Sequence, residues 1–257
     1  MASGPADAFA DALALVRQWR PRDPATRPAG LPSRPASDGA SDPATQPAAK
    51  PSGAIASAQA LIAARELDSV TLTERSLAAI AERNDQLYAF AEILEVEALD
   101  RARKLDALPG PRGPLHGIPV SVKDLYSVKG PTTRAGSLAF ERRDAIDSSV
   151  VRRLREAGAV LLGKTSLHEF AMGVIAPASR NPLDPTRIAG GSSSGAAIAA
   201  ATGMGMAAIG TDTRGSIRIP AAFCGVVGLK PTAGMVELDH VVALSWSLDH
   251  FGVIAGS

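Results

Sequence analysis

Large apolar side chains recur at helical spacing near the start of this chain, where Phe9, Leu13, Val16 and Trp19 fall roughly in line. The rhythm then stops. Between Pro21 and Gly53 Leu31 is the only large aliphatic residue, and eight of the 19 prolines stand there among Ala, Ser, Thr and Asp. Such a stretch cannot bury enough apolar area to offset the entropy of ordering it. The pattern therefore predicts a short helix within 1–20, a disordered linker over 21–54 and a folded domain over 55–257.

Within that domain the periodicity alternates. Leu72, Leu77 and Ile80 recur at helical spacing, and Thr71 with Glu74 forms a capping-box pattern at the head of that helix. Tyr88 to Leu94 alternates like a strand, and Val96 to Leu105 returns to helix. Prolines and glycines break the pattern from Pro109 to Gly117. Short β-rich runs (IPVSV, AVLLG, AAIGT) then alternate with helical ones (VVRRLREAG, SGAAIAAA). Strands interleaved with helices predict an α/β sheet domain.

Composition narrows the function classes. The chain has 257 residues, 46% of them hydrophobic, and can bury a sizeable core. A formal net charge of +1 offers no electrostatic case for nucleic acid or an anionic membrane as partner. One cysteine, Cys224, excludes an internal disulfide framework and fits a reducing cytoplasm. No apolar run approaches the roughly 20 residues that span a bilayer. Asp7 and Asp11 precede the first basic residue, Arg17, the reverse of a signal peptide. The expectation is a cytoplasmic protein.

Candidate chemistry concentrates between Gly190 and Pro220, where two Ser-bearing, Gly-rich turns bracket a small-residue segment. Glycine lets backbone N–H groups approach a ligand closely. A serine hydroxyl becomes nucleophilic only when a base takes its proton. The four histidines, His116, His168, His240 and His250, all stand outside both turns. A lysine can serve instead if burial or a neighbouring cation lowers its pKa. Lys123 follows the apolar run Ile118–Val122 and would emerge from a buried strand end; read alone, it is an ordinary strand-end surface lysine. Ser192 and Ser193 read alone fit a helix N-cap. Gly191–Gly195 also fits the G-x-S-x-G elbow of an α/β-hydrolase esterase, with Ser193 as nucleophile and Asp239 or Asp249 and His240 or His250 as partners. That elbow needs a strand before it, and the preceding RNPLDPTRIAG reads as loop. Gly203-x-Gly205-x-x-Ala208 mimics a dinucleotide fingerprint but follows a helix, not a strand. Cys224 reads as buried core. No His/Cys/Asp cluster has metal-ligand spacing, so neither metal nor cofactor is expected.

Taken together, GIPVSVKD, VVRRLREAGAVLLGKTSLHEFAMG, NPLDP, GGSSSG, GTDTRGSIRIPAAFCGVVGLKPT and SWSLDH resemble the amidase-signature family over about residues 55–257. The resemblance implies a central mixed sheet flanked by helices and a Ser–Ser–Lys triad hydrolysing a small-molecule amide through an acyl-enzyme. It implies Ser216 as nucleophile, Ser192 as bridging serine after a cis peptide bond, and Lys123 as base. The backbone N–H groups of Thr213, Arg214, Gly215 and Ser216 would form the oxyanion hole. Asp212 would organise the turn, and Arg218 would pair with a structural carboxylate or bind an acidic substrate group. The family usually carries Gly or Ala where Arg214 stands. If that position needs a positive φ, the side chain costs about 1–2 kcal/mol; otherwise its guanidinium favours anionic substrates. Members usually run considerably longer, so the chain is expected to be an N-terminal portion, a poor and poorly soluble hydrolase on its own. A separate C-terminal half and a homodimer are the further partners considered, beside the small-molecule amide. Two other readings stay open: the amidase subunit of a tRNA-dependent amidotransferase, disfavoured by Ile219 where such subunits tend to have Gln, and an inactive truncated paralogue.

Overall fold

A computed structural model of the chain describes residues 53–256. The expected N-terminal helix and nearly all of the expected linker lie outside the described residues. Ala54 already opens the first helix, α1 (Ala54–Ala63), one residue inside the expected linker boundary.

Helix α2 (Ser69–Leu87) begins earlier than the capping-box pattern suggests. Asp68 is its N-cap, with its carboxylate accepting from the Thr71 N–H at 2.6 Å, so Thr71 is already inside the first turn. A second carboxylate, Asp106, accepts from the N–H groups of Ser69 and Val70. Together they satisfy three of the four donors that a helix start leaves free; one such cap contributes about 1 kcal/mol. The buried stripe of α2 runs through Ser69, Thr73, Ser76, Ile80 and Leu87, so polar hydroxyls share the inner face. Thr73 and Ser76 spend theirs on the carbonyls of Ser69 and Leu72.

Strand β1 (Phe90–Ile93) and helix α3 (Glu95–Asp106) follow, then β2 (Pro119–Lys123). A two-stranded ribbon pairs β3 (Thr132–Thr133) with β4 (Arg142–Arg143). Next come α4 (Ser149–Glu156), β5 (Val160–Thr165), α5 (Ser194–Thr202), β6 (Ala207–Asp212), α6 (Arg218–Cys224), β7 (Val227–Leu229) and β8 (His250–Ala255). Within the described residues, the strand runs and helical runs expected from the sequence take their expected types.

Six strands form one mixed sheet in the order β1-β5-β2-β6-β8-β7. The central trio β5, β2 and β6 is parallel; β1, β8 and β7 attach antiparallel. Every residue of the three parallel strands is buried, which is why they read as continuous apolar runs rather than alternating ones. Helices flank the sheet, with α5 resting on β2, β5, β6 and β8. That close seat explains the small-residue composition of α5. A Cβ on Gly195 would stand 2.1 Å from the Ala89 carbonyl oxygen, so no larger residue fits there. The consequence is positional: the α5 N-terminus is pressed onto the C-terminal ends of β2 and β6, where the two serine-bearing turns also arrive.

Candidate active site

Lys123 is the last residue of β2 and has no exposed surface. Its Nζ donates to Ser192 Oγ at 2.7 Å and to Thr211 Oγ1 at 2.9 Å. Burial lowers its pKa from 10.5 to about 7, against the opposing pull of the Asp249 and Asp212 charges. No neighbouring cation is needed; desolvation is sufficient. The two hydroxyls matter for the proton count. A neutral amine keeps two N–H donors and one lone pair, so it can donate to Thr211 while its lone pair accepts the Ser192 O–H. In the charged form the same short contact runs from nitrogen to oxygen.

Ser192 sits in the loop ahead of α5, and the Gly191–Ser192 peptide bond is cis. Its carbonyl accepts from the His168 N–H at 3.2 Å. The next residue, Ser193, stitches this loop to the second turn. Its N–H donates to the Ser216 carbonyl at 3.2 Å, and its Oγ donates to the Thr211 carbonyl at 3.1 Å. Ser193 is the N-cap of α5, but its hydroxyl makes no capping bond. Ser193 thus holds the N-cap position that the sequence suggests, while its hydroxyl is used on Thr211.

Ser216 lies in the turn between β6 and α6 and is 7% exposed. Asp212, fully buried, holds that turn. Its carboxylate accepts from the N–H groups of Gly215 (2.7 Å) and Ile217 (3.2 Å). It also pairs two-pronged with Arg218, through Nε and Nη2 at 3.0 Å each. Burial alone would push the Asp212 carboxyl up, but the Arg218 bonds and the two amides outweigh it and hold it below its ordinary value. Of the two roles open to Arg218, the structure displays the pairing with a structural carboxylate.

The expected oxyanion donors divide. Gly215 commits its N–H to Asp212, because the buried carboxylate stands beneath the turn and needs that partner. Thr213, Arg214 and Ser216 remain. The positive φ in this turn, 121°, belongs to Gly215. Arg214 has no positive φ and is exposed, so its side chain carries no backbone strain. Among the described residues Arg214 forms no ion pair.

Thr211 is a contact of Lys123 that the sequence reading missed. It lies inside the stretch GTDTRGS, and its signal was a polar side chain on a wholly buried strand. Two positions after Ile209, which pairs with Val122, it shares that residue's face and reaches the end of β2.

The elbow geometry is not met. No strand precedes Ser193 directly, and its hydroxyl bonds a carbonyl rather than an imidazole. Asp239 accepts from the Ser149 N–H, far along the chain from Ser193. Cys224 is buried, with its Sγ donating to the Ala189 carbonyl and its thiol pushed up to about 12 by burial. Among the described residues no three His, Cys, Asp or Glu side chains are placed to hold a metal. No helix among them is long and apolar enough to cross a membrane. A cavity of about 330 Å³ between residues 62–68 and 105–116 is lined by none of Lys123, Ser192, Thr211, Asp212 and Ser216.

Known proteins share this arrangement of motifs. The family described as Amidase matches residues 71–257. An amidase of Pseudomonas putida is 47% identical over 194 residues, covering 74% of this chain and 42% of its own length. A glutamyl-tRNA(Gln) amidotransferase subunit of Prochlorococcus marinus is 45% identical over 197 residues, covering 73% of this chain and 40% of its own length. Among solved structures, the native peptide amidase from Stenotrophomonas maltophilia superposes with a TM-score of 0.73 at 44% identity, over 77% of this chain and 44% of that one. The chain thus spans less than half the length of these relatives.

Proposed function

Because the chain belongs to the Amidase family, we propose that it hydrolyses a carboxylic amide, releasing a carboxylate and ammonia or an amine through an acyl-enzyme on Ser216. Lys123 is the base and Ser192 the relay. One observation carries this reading: a fully buried lysine with its pKa near 7 donates to a serine hydroxyl at 2.7 Å, and among the described residues no carboxylate is in hydrogen-bond contact with it.

In the first half-reaction neutral Lys123 accepts the Ser192 proton as Ser192 accepts that of Ser216. The Ser216 oxygen attacks the amide carbon, and the carbonyl oxygen becomes an oxyanion facing the turn amides. The C–N bond then breaks, with the proton returning through Ser192 to the leaving nitrogen. Water repeats the sequence on the ester and frees the carboxylate. Three amides, of Thr213, Arg214 and Ser216, form the oxyanion hole in this reading; the Gly215 amide braces the turn. One missing donor of this kind typically costs on the order of 10²–10³ in rate. The single cysteine supports placement in a reducing cytoplasm.

A second reading has its own support, since the amidotransferase relative is 45% identical where the amidase is 47%. There the released ammonia would pass to a second substrate held by a partner. The two readings share the acyl-enzyme and part on whether turnover needs that partner.

The test is labelling with an electrophilic amide analogue followed by mass spectrometry. The adduct should map to Ser216. Ser216→Ala should abolish both labelling and turnover, while Ser192→Ala should retain a weak residue of each, since a water can stand in the relay. An adduct on Ser193 would instead support the elbow esterase and overturn the assignment.

A further inference from the structure

The antiparallel ladder between β6 and β8 ends with Asp212 opposite His250. One step further, Thr213 meets Asp249, and the contact is made: Thr213 Oγ1 donates to Asp249 Oδ1 at 2.5 Å. The other carboxylate oxygen accepts from the N–H groups of Leu244 (2.9 Å) and Ser245 (3.1 Å). The Asp249 N–H in turn donates to the Ser245 carbonyl at 2.8 Å. One carboxylate thus closes the 244–249 turn and clamps it to the residue that opens the Ser216 turn.

Two carboxylates bear on Lys123 electrostatically, Asp249 and Asp212. They differ in what cancels them. Asp212 faces the Arg218 guanidinium two-pronged. Asp249 forms no ion pair among the described residues; its partners are a hydroxyl and two amides. Its field also reaches the buried Tyr126 phenol, whose pKa is raised first by burial and then by Asp249. The third carboxylate of the neighbourhood, Asp124, is paired with Lys164 at 2.6 Å.

We propose that Asp249 is a positioning residue of this site: it ties Thr213 and the 244–249 turn into one unit beside the Ser216 turn. The inference rests on the reading of Lys123 as base and Ser216 as nucleophile. Its two consequences separate. The tether through Thr213 holds the Thr213 amide and the following turn where an oxyanion forms. The charge keeps Lys123 protonated to higher pH than burial alone would.

The experiment follows two readouts on the full chain: the Lys123 Nζ titration by NMR, and the rate at which an electrophilic amide analogue acylates Ser216. Asp249→Asn keeps a hydrogen-bond acceptor and removes the charge. It should move the Lys123 midpoint to lower pH. Thr213→Val removes the tether and leaves the charge. It should leave that midpoint in place and slow acylation by up to about 10²-fold, as a misplacement of about 1 Å can, and Thr213→Ser should restore the rate. An unmoved midpoint in Asp249→Asn overturns the electrostatic role; unchanged acylation in Thr213→Val overturns the tether. Should Asp249→Asn not fold, the Thr213→Val and Thr213→Ser pair still decides the tether. A wild-type chain that never labels at Ser216 fails the hydrolase reading and the tether with it, while the Lys123 midpoint still reports on the charge.

Discussion

Lys123 ends β2 and Lys164 stands one residue before the end of the neighbouring β5, and both are fully buried. Their surroundings differ in one respect. Lys164 pairs with Asp124 at 2.6 Å and donates to Thr133 Oγ1 at 2.5 Å. Lys123 donates instead to the hydroxyls of Ser192 and Thr211. Burial pushes both lysines down; at Lys164 the Asp124 carboxylate opposes that directly, while burial pushes Asp124 itself up. Burial therefore does not by itself make a lysine a base. What matters is whether a carboxylate pairs with it directly. The two residues that decide it are adjacent in sequence, Lys123 and Asp124. Successive side chains at the end of β2 point to opposite sides, so Asp124 serves Lys164 and leaves Lys123 without a carboxylate in direct contact.

Exchanging each lysine for methionine should break this pair of roles apart. The largest effect is expected at Lys123, the proposed base. Lys123→Met should cut turnover by about 10²–10⁴, the usual contribution of a general base. In the wild type, turnover should rise through pH 7 as Lys123 loses its proton. Stability should follow pH in the same direction, rising as the ammonium is lost. With a folded pKa of about 7 against 10.5, the unfolded chain binds more protons between those values, so stability falls as pH drops from 10.5 to 7. Below pH 7 the full cost is on the order of 5 kcal/mol. Removing the amine should therefore raise the melting temperature at neutral pH while activity disappears. A Lys123→Met chain that melts lower than wild type would show that the amine is a structural group like Lys164.

Lys164→Met should do the reverse. It strands Asp124 as an unpaired buried charge and should destabilise the fold by about 3–5 kcal/mol in denaturant titration. Adding Asp124→Leu should recover most of that loss, because a buried ion pair replaced whole by apolar side chains is close to neutral. No recovery would mean that Asp124 is held for its bond from the Arg134 N–H, at 3.0 Å, rather than for the ion pair.

The smallest effect is expected at Arg214. Its φ is not positive and its side chain is exposed, so Arg214→Gly should change stability by no more than about 0.5 kcal/mol. A gain beyond that would reveal strain that the backbone angles do not display. Comparing a neutral with a carboxylate-bearing amide in the same variant would show whether the guanidinium selects charge.

Much of this site is legible in residue order. The apolar run ending in Lys123, the glycines around Ser192 and Ser216, and the strand–helix alternation are local features. Strand and helix types follow from periodicity and from the breaks at Pro109–Gly117. Helix boundaries are less legible: Asp68, not Thr71, caps α2, because the helix start is also bound by Asp106, 37 residues from Ser69. The hydroxyl of Ser193 likewise goes to Thr211 rather than to a cap, a choice made between two loops that sequence spacing does not relate.

By itself the sequence determined which chemistry was available: a lysine able to be buried, serines in turns free of bulky side chains, no histidine beside them and a strand–helix alternation that builds a mixed sheet. Residue type and short-range periodicity carry that information because hydrogen-bonding capacity, backbone freedom and amphipathic spacing are local properties. Only the tertiary structure decided which groups share a cavity. It brought Lys123 to Ser192 and Thr211 across 69 and 88 residues, gave Asp124 to Lys164, committed the Gly215 amide to Asp212 and set Asp249 against Thr213. Those pairings depend on strand order and register, and a lowered pKa depends on how much water and how many charges the whole fold leaves around one amine.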